Sequence, residues 1–242
     1  MSRAGSRTPL TLAAGLRFEP AADLDPAVGA LLGRESDGLA QALAAWGRFR
    51  RPVRIRTTAT AAALRAAAPC PTDLNLHGLA GLDELILLVP AAWRDPPAHG
   101  DLVRTLHHEL AHVLLFQRCA ATGSARAPWL PTWFREGMAT VASEGRPPAR
   151  LRRHLGAHPA LDELPGADDA VMAAHAQDCY DIAALAFQDW YDRFGGRGLT
   201  ALCAAMRTRH PFGAAFQRAC GQAEETWLAA WLAGLRRDAG QR

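Results

Sequence analysis

The chain has 242 residues, of which 49% are hydrophobic and 21% charged, a composition typical of folded globular proteins and not of disordered or fibrous ones. The net charge of +3 is too small to indicate a nucleic-acid-binding surface. The five cysteines are scattered and odd in number, which argues against a disulfide framework and against a cysteine-rich zinc cluster.

The predicted elements change along the chain from strands and short helices to longer helices. Residues 1–20 are expected to form a flexible lead-in, and residues 25–46 one or two helices interrupted near Ser36, Asp37 and Gly38. Apolar periodicity and turn residues predict the following elements: a strand at 52–58, a helix at 58–68, a glycine-rich turn before a strand at 85–89, and helices at 101–118, 132–145, 178–194, 197–209, 212–220 and 224–237. The stretch 146–170 is expected to be a loop.

These elements predict an α+β fold. The expected domains are an N-terminal helical lead-in at 1–49, a small sheet lobe at 50–128 that includes the 101–118 helix, and a mainly helical lobe at 129–242.

The stretch "TLHHELAHVLL" at 105–115 carries a candidate metal site. His108 and His112 are four residues apart, so both imidazoles project from one face of the predicted helix and can reach one metal ion. Glu109 adjoins the first histidine, where a carboxylate can take a proton from a water whose pKa a zinc ion lowers to about 7. The H-E-x-x-H pattern alone has a chance frequency on the order of one or two in a hundred in such a chain.

A third ligand decides which kind of site this is. The metzincin pattern requires glycine and histidine where this chain has Leu115 and Arg118, so that class is excluded. Glu136 follows His112 by 24 residues within "PTWFREGMA", on the early part of the next predicted helix. Gly137 beside it leaves room for close helix packing. His108, His112 and Glu136 then make the His₂Glu set of a catalytic zinc site with an open fourth position.

The combination of "HHELAH" with "LPTWFREGMATVAS" resembles the gluzincin zinc metallopeptidases, specifically the peptidase MA-like group. Three further stretches are similar to that group, although more loosely in the tail, and the resemblance covers roughly residues 50–237: "HGLAGLDELILLVP", "CYDIAALAFQDWYDRFGGRGLTALCAAM" and "PFGAAFQRACGQAEETWLAAWLAGLR". It implies a two-lobed metallopeptidase fold with the zinc-motif helix in the N-terminal lobe.

The resemblance also implies roles for individual residues. His108, His112 and Glu136 would be the metal ligands and Glu109 the general base and later proton donor, while the strand near 85–89 would be an edge strand that aligns an extended substrate. Tyr180 stands where the family has a helix-leading tyrosine, either as an oxyanion donor or as a packing residue.

Three other polar residues are expected to have lesser roles than the ligands and the base. His107 points about 100° away from His108 on a helix. This direction favours a role as a bystander, or as a residue that supports the ligands without binding the metal. His175 is a weaker alternative donor and is expected to be a solvent-facing loop histidine. Thr140, one turn after Glu136, is a candidate to orient the ligand set.

The sequence therefore predicts a zinc-dependent metallopeptidase that hydrolyses peptide bonds with a metal-bound water and a glutamate general base. Its expected cofactor is Zn²⁺ and its expected partner a peptide or protein substrate, with no nucleic acid and no membrane span, in the cytoplasm. The alternative is a non-catalytic zinc-binding regulatory or interaction protein built on a peptidase fold. A helical protein without metal, carrying a chance motif, is disfavoured by Glu136.

Overall fold

A computed structural model describes residues 10–11, 16–19, 26–67, 77–89 and 99–240. The chain divides into two compact units, residues 1–118 and 119–242. The described strands all lie in the first unit, and the described part of the second consists of helices and turns. The predicted α+β class is confirmed, whereas the predicted domain limits at 49 and 128 stay a prediction. Cys70 lies outside the described residues.

In the part of the first unit that the structure describes, a five-stranded sheet is combined with three α-helices. In chain order its elements are β1 (Leu10–Thr11), β2 (Leu16–Glu19), α1 (Pro26–Ala42), β3 (Val53–Thr58), α2 (Ala61–Ala67), β4 (Gly78–Ala80), β5 (Glu84–Leu88) and α3 (His99–Cys119). The order across the sheet is β1-β2-β3-β5-β4. The three central strands are parallel, and both outer strands pair antiparallel.

Three predictions for the first unit are wrong. The expected flexible lead-in contributes β1 and β2, and the expected glycine-rich turn contains β4. These strands have 2, 4 and 3 residues, which is too short for a clear alternation of apolar and polar side chains. The expected interruption of α1 is absent because Ser36 is buried within the helix and its Oγ donates to the Leu32 carbonyl at 2.6 Å. Local back-bonding of this kind satisfies a serine inside a helix.

Helix α3 buries one apolar face and some polar side chains. Leu102, Leu106, Leu110, Val113 and Leu114 are fully buried, while Val103 is half-buried. The helix begins at His99, before the predicted residue 101, so Asp101 lies in its first turn.

The polar anchor of α3 is Gln117, which is buried. Its Oε1 accepts from the main-chain N–H groups of Arg50 and Arg51 at 2.7 and 2.9 Å. Its Nε2 donates to the Leu82 carbonyl at 2.7 Å. Because these partners precede β3 and lie between β4 and β5, Gln117 fixes α3 relative to two connections of the sheet.

The second unit contains five described helices. They are α4 (Thr132–Glu144), α5 (Arg150–Gly156), α6 (Asp169–Arg207), α7 (Phe212–Cys220) and α8 (Glu224–Gly240). The limits predicted for α4 and α7 are confirmed. Helix α5 lies in the expected loop, and α6 begins before the predicted residue 178 because the Asp168 carboxylate caps it by accepting from two main-chain N–H groups. The helical backbone of α6 is interrupted at His175 and at Gly195 (φ 61°).

Close packing of α4 on α6 shapes the second unit. A Cβ atom at Gly137 would overlap the Ala183 main-chain oxygen and lie 2.6 Å from Phe187 Cβ, so only glycine allows this approach, as the sequence predicts. Around the contact lies an aromatic core in which Trp133 is buried and its Nε1 donates to Glu224 Oε1 at 2.7 Å. Glu136 stands beside the closest point of the two helices.

Within the described ranges, no helix is both long enough and apolar enough to cross a membrane.

Candidate metal centre

His108 and His112 face each other on one turn of α3. Their Nε2 atoms are 3.1 Å apart, and the rings meet edge to face with centroids 4.7 Å apart at 84°. Two ligands on a tetrahedral zinc ion with bonds of about 2.0 to 2.1 Å are separated by about 3.3 Å. Phe116, one turn further, stacks on the buried His112 ring at 5.7 Å and 9°. The i, i+4 spacing thus brings both nitrogens to a separation that suits one metal ion.

Glu136 offers a buried carboxylate in the second turn of α4. Its residue exposure is 9%, and its Oε1 accepts from Arg135 Nε at 2.8 Å. The ligand atoms of His108, His112 and Glu136 all lie within 4.8 Å of one another. The structure therefore brings the three predicted ligands together in an arrangement compatible with a metal ion.

The donor set fits zinc in kind as well as in spacing. Two imidazole nitrogens and one carboxylate oxygen form a set of borderline hardness that zinc accepts in catalytic sites with three protein ligands.

Thr140, one turn after Glu136, is buried, and its Oγ1 has no hydrogen-bond partner in the described part of the chain. Thr140 therefore makes no hydrogen bond that would orient Glu136, contrary to the prediction.

The side chain of Glu109 lies against the outer strand of the sheet. A Cβ atom at Gly78, the first residue of β4, would lie 2.6 Å from Glu109 Cγ and 2.8 Å from its Oε1. Any larger residue at position 78 would displace the candidate base. Sequence reasoning missed Gly78 as a functional residue, although a glycine beside a strand can mark the close approach of another group.

The edge strand predicted near residues 85–89 is wrong. β5 is paired on both sides, parallel to β3 and antiparallel to β4, so its main-chain groups are already used within the sheet. β4 is the outer strand at this end of the described sheet. An extended peptide that adds to this end must therefore pair with β4, the strand that contacts Glu109.

Tyr180 lies half-buried on α6. It stands one turn before Ala183, the residue whose main-chain oxygen faces Gly137. This places Tyr180 on the part of α6 that packs near Glu136. Its role as an oxyanion donor or as a packing residue stays a prediction.

His107 and His175 have different environments from those of the ligands. His107 is half-buried with its Nε2 3.8 Å from Glu35 Oε2; burial lowers its pKa, and the Glu35 charge opposes that shift. Its neighbour Glu35 is outside the ligand set, which agrees with the prediction that His107 is a bystander. His175 is half-buried within α6, and its ring meets that of His158 at 5.3 Å, so the prediction of a solvent-facing loop histidine is wrong.

A scan against protein-family models gave no matching family, and no curated protein matches this chain at a significant level. The resemblance to the gluzincins therefore rests on the residues of the sequence motifs.

Proposed function

We propose that this protein is a zinc-dependent peptidase of the gluzincin type. The observation that carries the proposal is the clustering of His108, His112 and Glu136, whose ligand atoms lie within 4.8 Å of one another. Glu109, next to His108 on the same helix, supplies the carboxylate that such chemistry requires. A zinc ion bound by these residues supplies Lewis-acid polarisation of a carbonyl and lowers the pKa of a water ligand.

In this proposal Glu109 moves the proton. Its carboxylate accepts a proton from the attacking water and then donates it to the amine of the cleaved peptide bond. Gly78 supports this role because it leaves room for the Glu109 carboxylate, with Oε1 only 2.8 Å from the position of a Cβ atom. The absence of a side chain at position 78 therefore supports the proposed position of the base.

The proposed substrate is an extended peptide paired with β4. Such pairing uses main-chain groups and places alternate side chains on opposite faces of the added strand. Gly78 and Ala80 leave one face of β4 without large side chains, because Leu79 lies on the opposite face. The proposal therefore includes cleavage sites with tolerance for several side chains, provided that the peptide can extend.

The alternative is a zinc-binding regulatory or interaction protein without turnover. Glu109 argues against it, because a purely structural zinc site needs no adjacent carboxylate and closes its fourth position with a protein ligand. The two proposals differ in one measurable respect, which is whether the zinc-loaded protein cleaves peptides.

The test compares the wild-type protein with Glu109→Gln on a quenched peptide library after zinc loading. We expect both proteins to bind zinc equally and kcat to fall about 10²- to 10⁴-fold in the variant, the usual contribution of a general base. Glu144→Gln, at an exposed position at the end of α4, is the matched control and should keep full activity. Zinc binding without cleavage by the wild type would favour the non-catalytic alternative.

A further inference from the structure

A second group of histidines and a carboxylate lies entirely within the second unit. His158, His175 and Asp178 each offer one ligand atom, and these atoms all lie within 4.8 Å of one another. His158 belongs to the turn after α5, whereas His175 and Asp178 are on α6. We infer that this group, with His154 beside it, is a second binding site for a divalent transition metal such as Zn²⁺.

The distances within the group suit a metal ion. His158 Nε2 is 3.5 Å from Asp178 Oδ2, close to the separation of about 3.3 Å expected for two ligands of a tetrahedral zinc ion. The rings of His158 and His175 meet edge to face with centroids 5.3 Å apart at 86°. The first pair, His108 and His112, has nearly the same geometry at 4.7 Å and 84°.

His154 supplies a further donor on the exposed side. Its Nε2 lies 3.7 Å from Asp178 Oδ1, so the two oxygens of this carboxylate face two different imidazoles. The side chain of His154 is 66% exposed, whereas that of His158 is only 13% exposed. The arrangement provides three partly enclosed ligands, and the exposed His154 or a solvent molecule can complete the coordination at the open side.

The scaffold around the group is rigid because its flanking residues share one apolar core. Leu155 and Leu161, on either side of His158, are buried in the same cluster as Cys179 and Ile182, which follow Asp178. This shared core fixes the turn after α5 relative to α6. It also holds the ligands in place before any metal binds, which reduces the entropy lost on binding.

The donor set consists of nitrogen and oxygen atoms. The neighbouring Cys179 is buried in the apolar cluster and is not among the residues whose ligand atoms form the group. Imidazole and carboxylate donors favour zinc and its neighbours in the first transition row over calcium or magnesium.

An ion pair between one histidine and Asp178 explains fewer of these contacts than a bound metal ion does. One protonated histidine suffices to pair with Asp178, yet three imidazoles lie around this single carboxylate. The pair of Asp178 with the exposed His154 also contributes little to stability. A metal ion, in contrast, uses every one of these donors.

Metal binding at this group has one structural consequence that can be detected. His158 Nδ1 now accepts from the Ala160 main-chain N–H at 3.2 Å, so the neutral ring carries its proton on Nε2. If Nε2 binds the metal, the proton moves to Nδ1 and the Ala160 hydrogen bond is lost. Zinc should therefore shift the amide resonance of Ala160 and increase its exchange with solvent.

The test uses a variant that lacks the first site, so the inference does not rest on the proposed peptidase activity. Metal-free His112→Ala protein is titrated with ZnCl₂ by calorimetry and equilibrium dialysis. We expect one bound zinc per chain and a rise in Tm of roughly 5 °C at a hundredfold excess over Kd.

Adding His158→Gln or Asp178→Asn should abolish this binding, whereas adding the control His210→Gln should leave it unchanged. Two substitutions close in shape to the native residues are used so that one can decide if the other fails to fold. Wild-type protein with two equivalents of Co²⁺ should show visible absorption from two classes of site, of which Asp178→Asn removes one. No zinc bound to His112→Ala, or zinc binding unaffected by both substitutions, would overturn the inference.

Discussion

The two histidine clusters present similar donors on different scaffolds. His108 and His112 stand on one regular helix, so the 3.6-residue repeat alone brings their Nε2 atoms to 3.1 Å. His158 and His175 come from a turn and from an interrupted helix, and a shared apolar core brings them together. Only the first cluster has a carboxylate, Glu109, next to a histidine on the ligand helix. Of the two clusters, therefore, the first is the one that has the carboxylate that the proposed hydrolysis requires.

The largest expected effect follows removal of a ligand from the first cluster. Glu136→Ala should lower zinc affinity more than about 100-fold, because even indirect partners of metal ligands contribute 10- to 100-fold. Peptide cleavage should be lost with the metal. Calorimetric zinc titration together with the peptide assay measures both quantities.

His107→Gln is the matched control for that change. It alters the histidine next to His108 on α3 but not the ligand set, so zinc affinity should stay within a few-fold of the wild type. If His107→Gln lost zinc as strongly as Glu136→Ala does, the assignment of ligands on α3 would be wrong.

A second effect should separate catalysis from metal binding. Gly78→Ala places a methyl group 2.6 Å from Glu109 Cγ, so the carboxylate must move. A displacement on the order of 1 Å can lower kcat about 10²-fold, and zinc affinity should be unchanged.

The control for Gly78→Ala is Gly81→Ala in the adjoining turn, where the added Cβ would have only an ordinary contact, 3.5 Å from the Glu84 oxygen. Its kcat should equal that of the wild type. Equal activity of both variants would show that the Glu109 position does not depend on β4.

The two clusters also differ in how far the sequence predicts them. The first cluster is predictable because both histidines share a helix and Glu136 lies in α4, whose limits are marked by Pro131 and Gly145. The second joins His158 to His175, and no periodicity relates two residues in different elements. The sequence also missed α5, because the prolines before it favour a loop.

The strands of the sheet also differ in how far the sequence predicts them. β3 is predictable from the alternation of buried Val53 and Ile55 with exposed arginines. β4 is not, since Gly78–Ala80 has no strand-favouring side chain and forms only through its pairing with β5. As a result, sequence reasoning assigned the edge to the wrong strand and overlooked Gly78.

A smaller effect should appear in the stability of the second unit. Gly137→Ala introduces an overlap with the Ala183 oxygen at the contact of α4 with α6. Overpacking of this kind costs about 1 to 3 kcal/mol and should also lower zinc affinity by shifting Glu136. Denaturant unfolding in the absence and presence of zinc measures both effects.

Gly213→Ala is the control for that change, because the added methyl group would have no neighbour within 4 Å. In helix α7 it should raise stability by up to about 1 kcal/mol. A stability of Gly137→Ala equal to or above that of Gly213→Ala would contradict the tight contact.

The smallest effect concerns Glu224, a half-buried carboxylate outside both clusters. Burial raises the pKa of Glu224, and its hydrogen bond from Trp133 opposes that shift. The folded state then binds the proton more tightly than the unfolded state, so this group lowers stability as pH rises from about 4.5 through the higher folded-state pKa.

Glu224→Gln should remove this slope while its amide oxygen keeps the Trp133 bond. The expected change at pH 7 is a gain below about 1 kcal/mol. Unfolding free energies measured at several pH values between 4 and 7 test this. An unchanged slope in Glu224→Gln would show that another group is responsible.

An anomalous difference map recorded at the zinc absorption edge, from crystals of the zinc-loaded protein, would locate the metal directly. We expect a peak within about 2.2 Å of His108 Nε2, His112 Nε2 and a Glu136 oxygen. A map from zinc-loaded crystals with no peak at these three side chains would contradict the proposed zinc site.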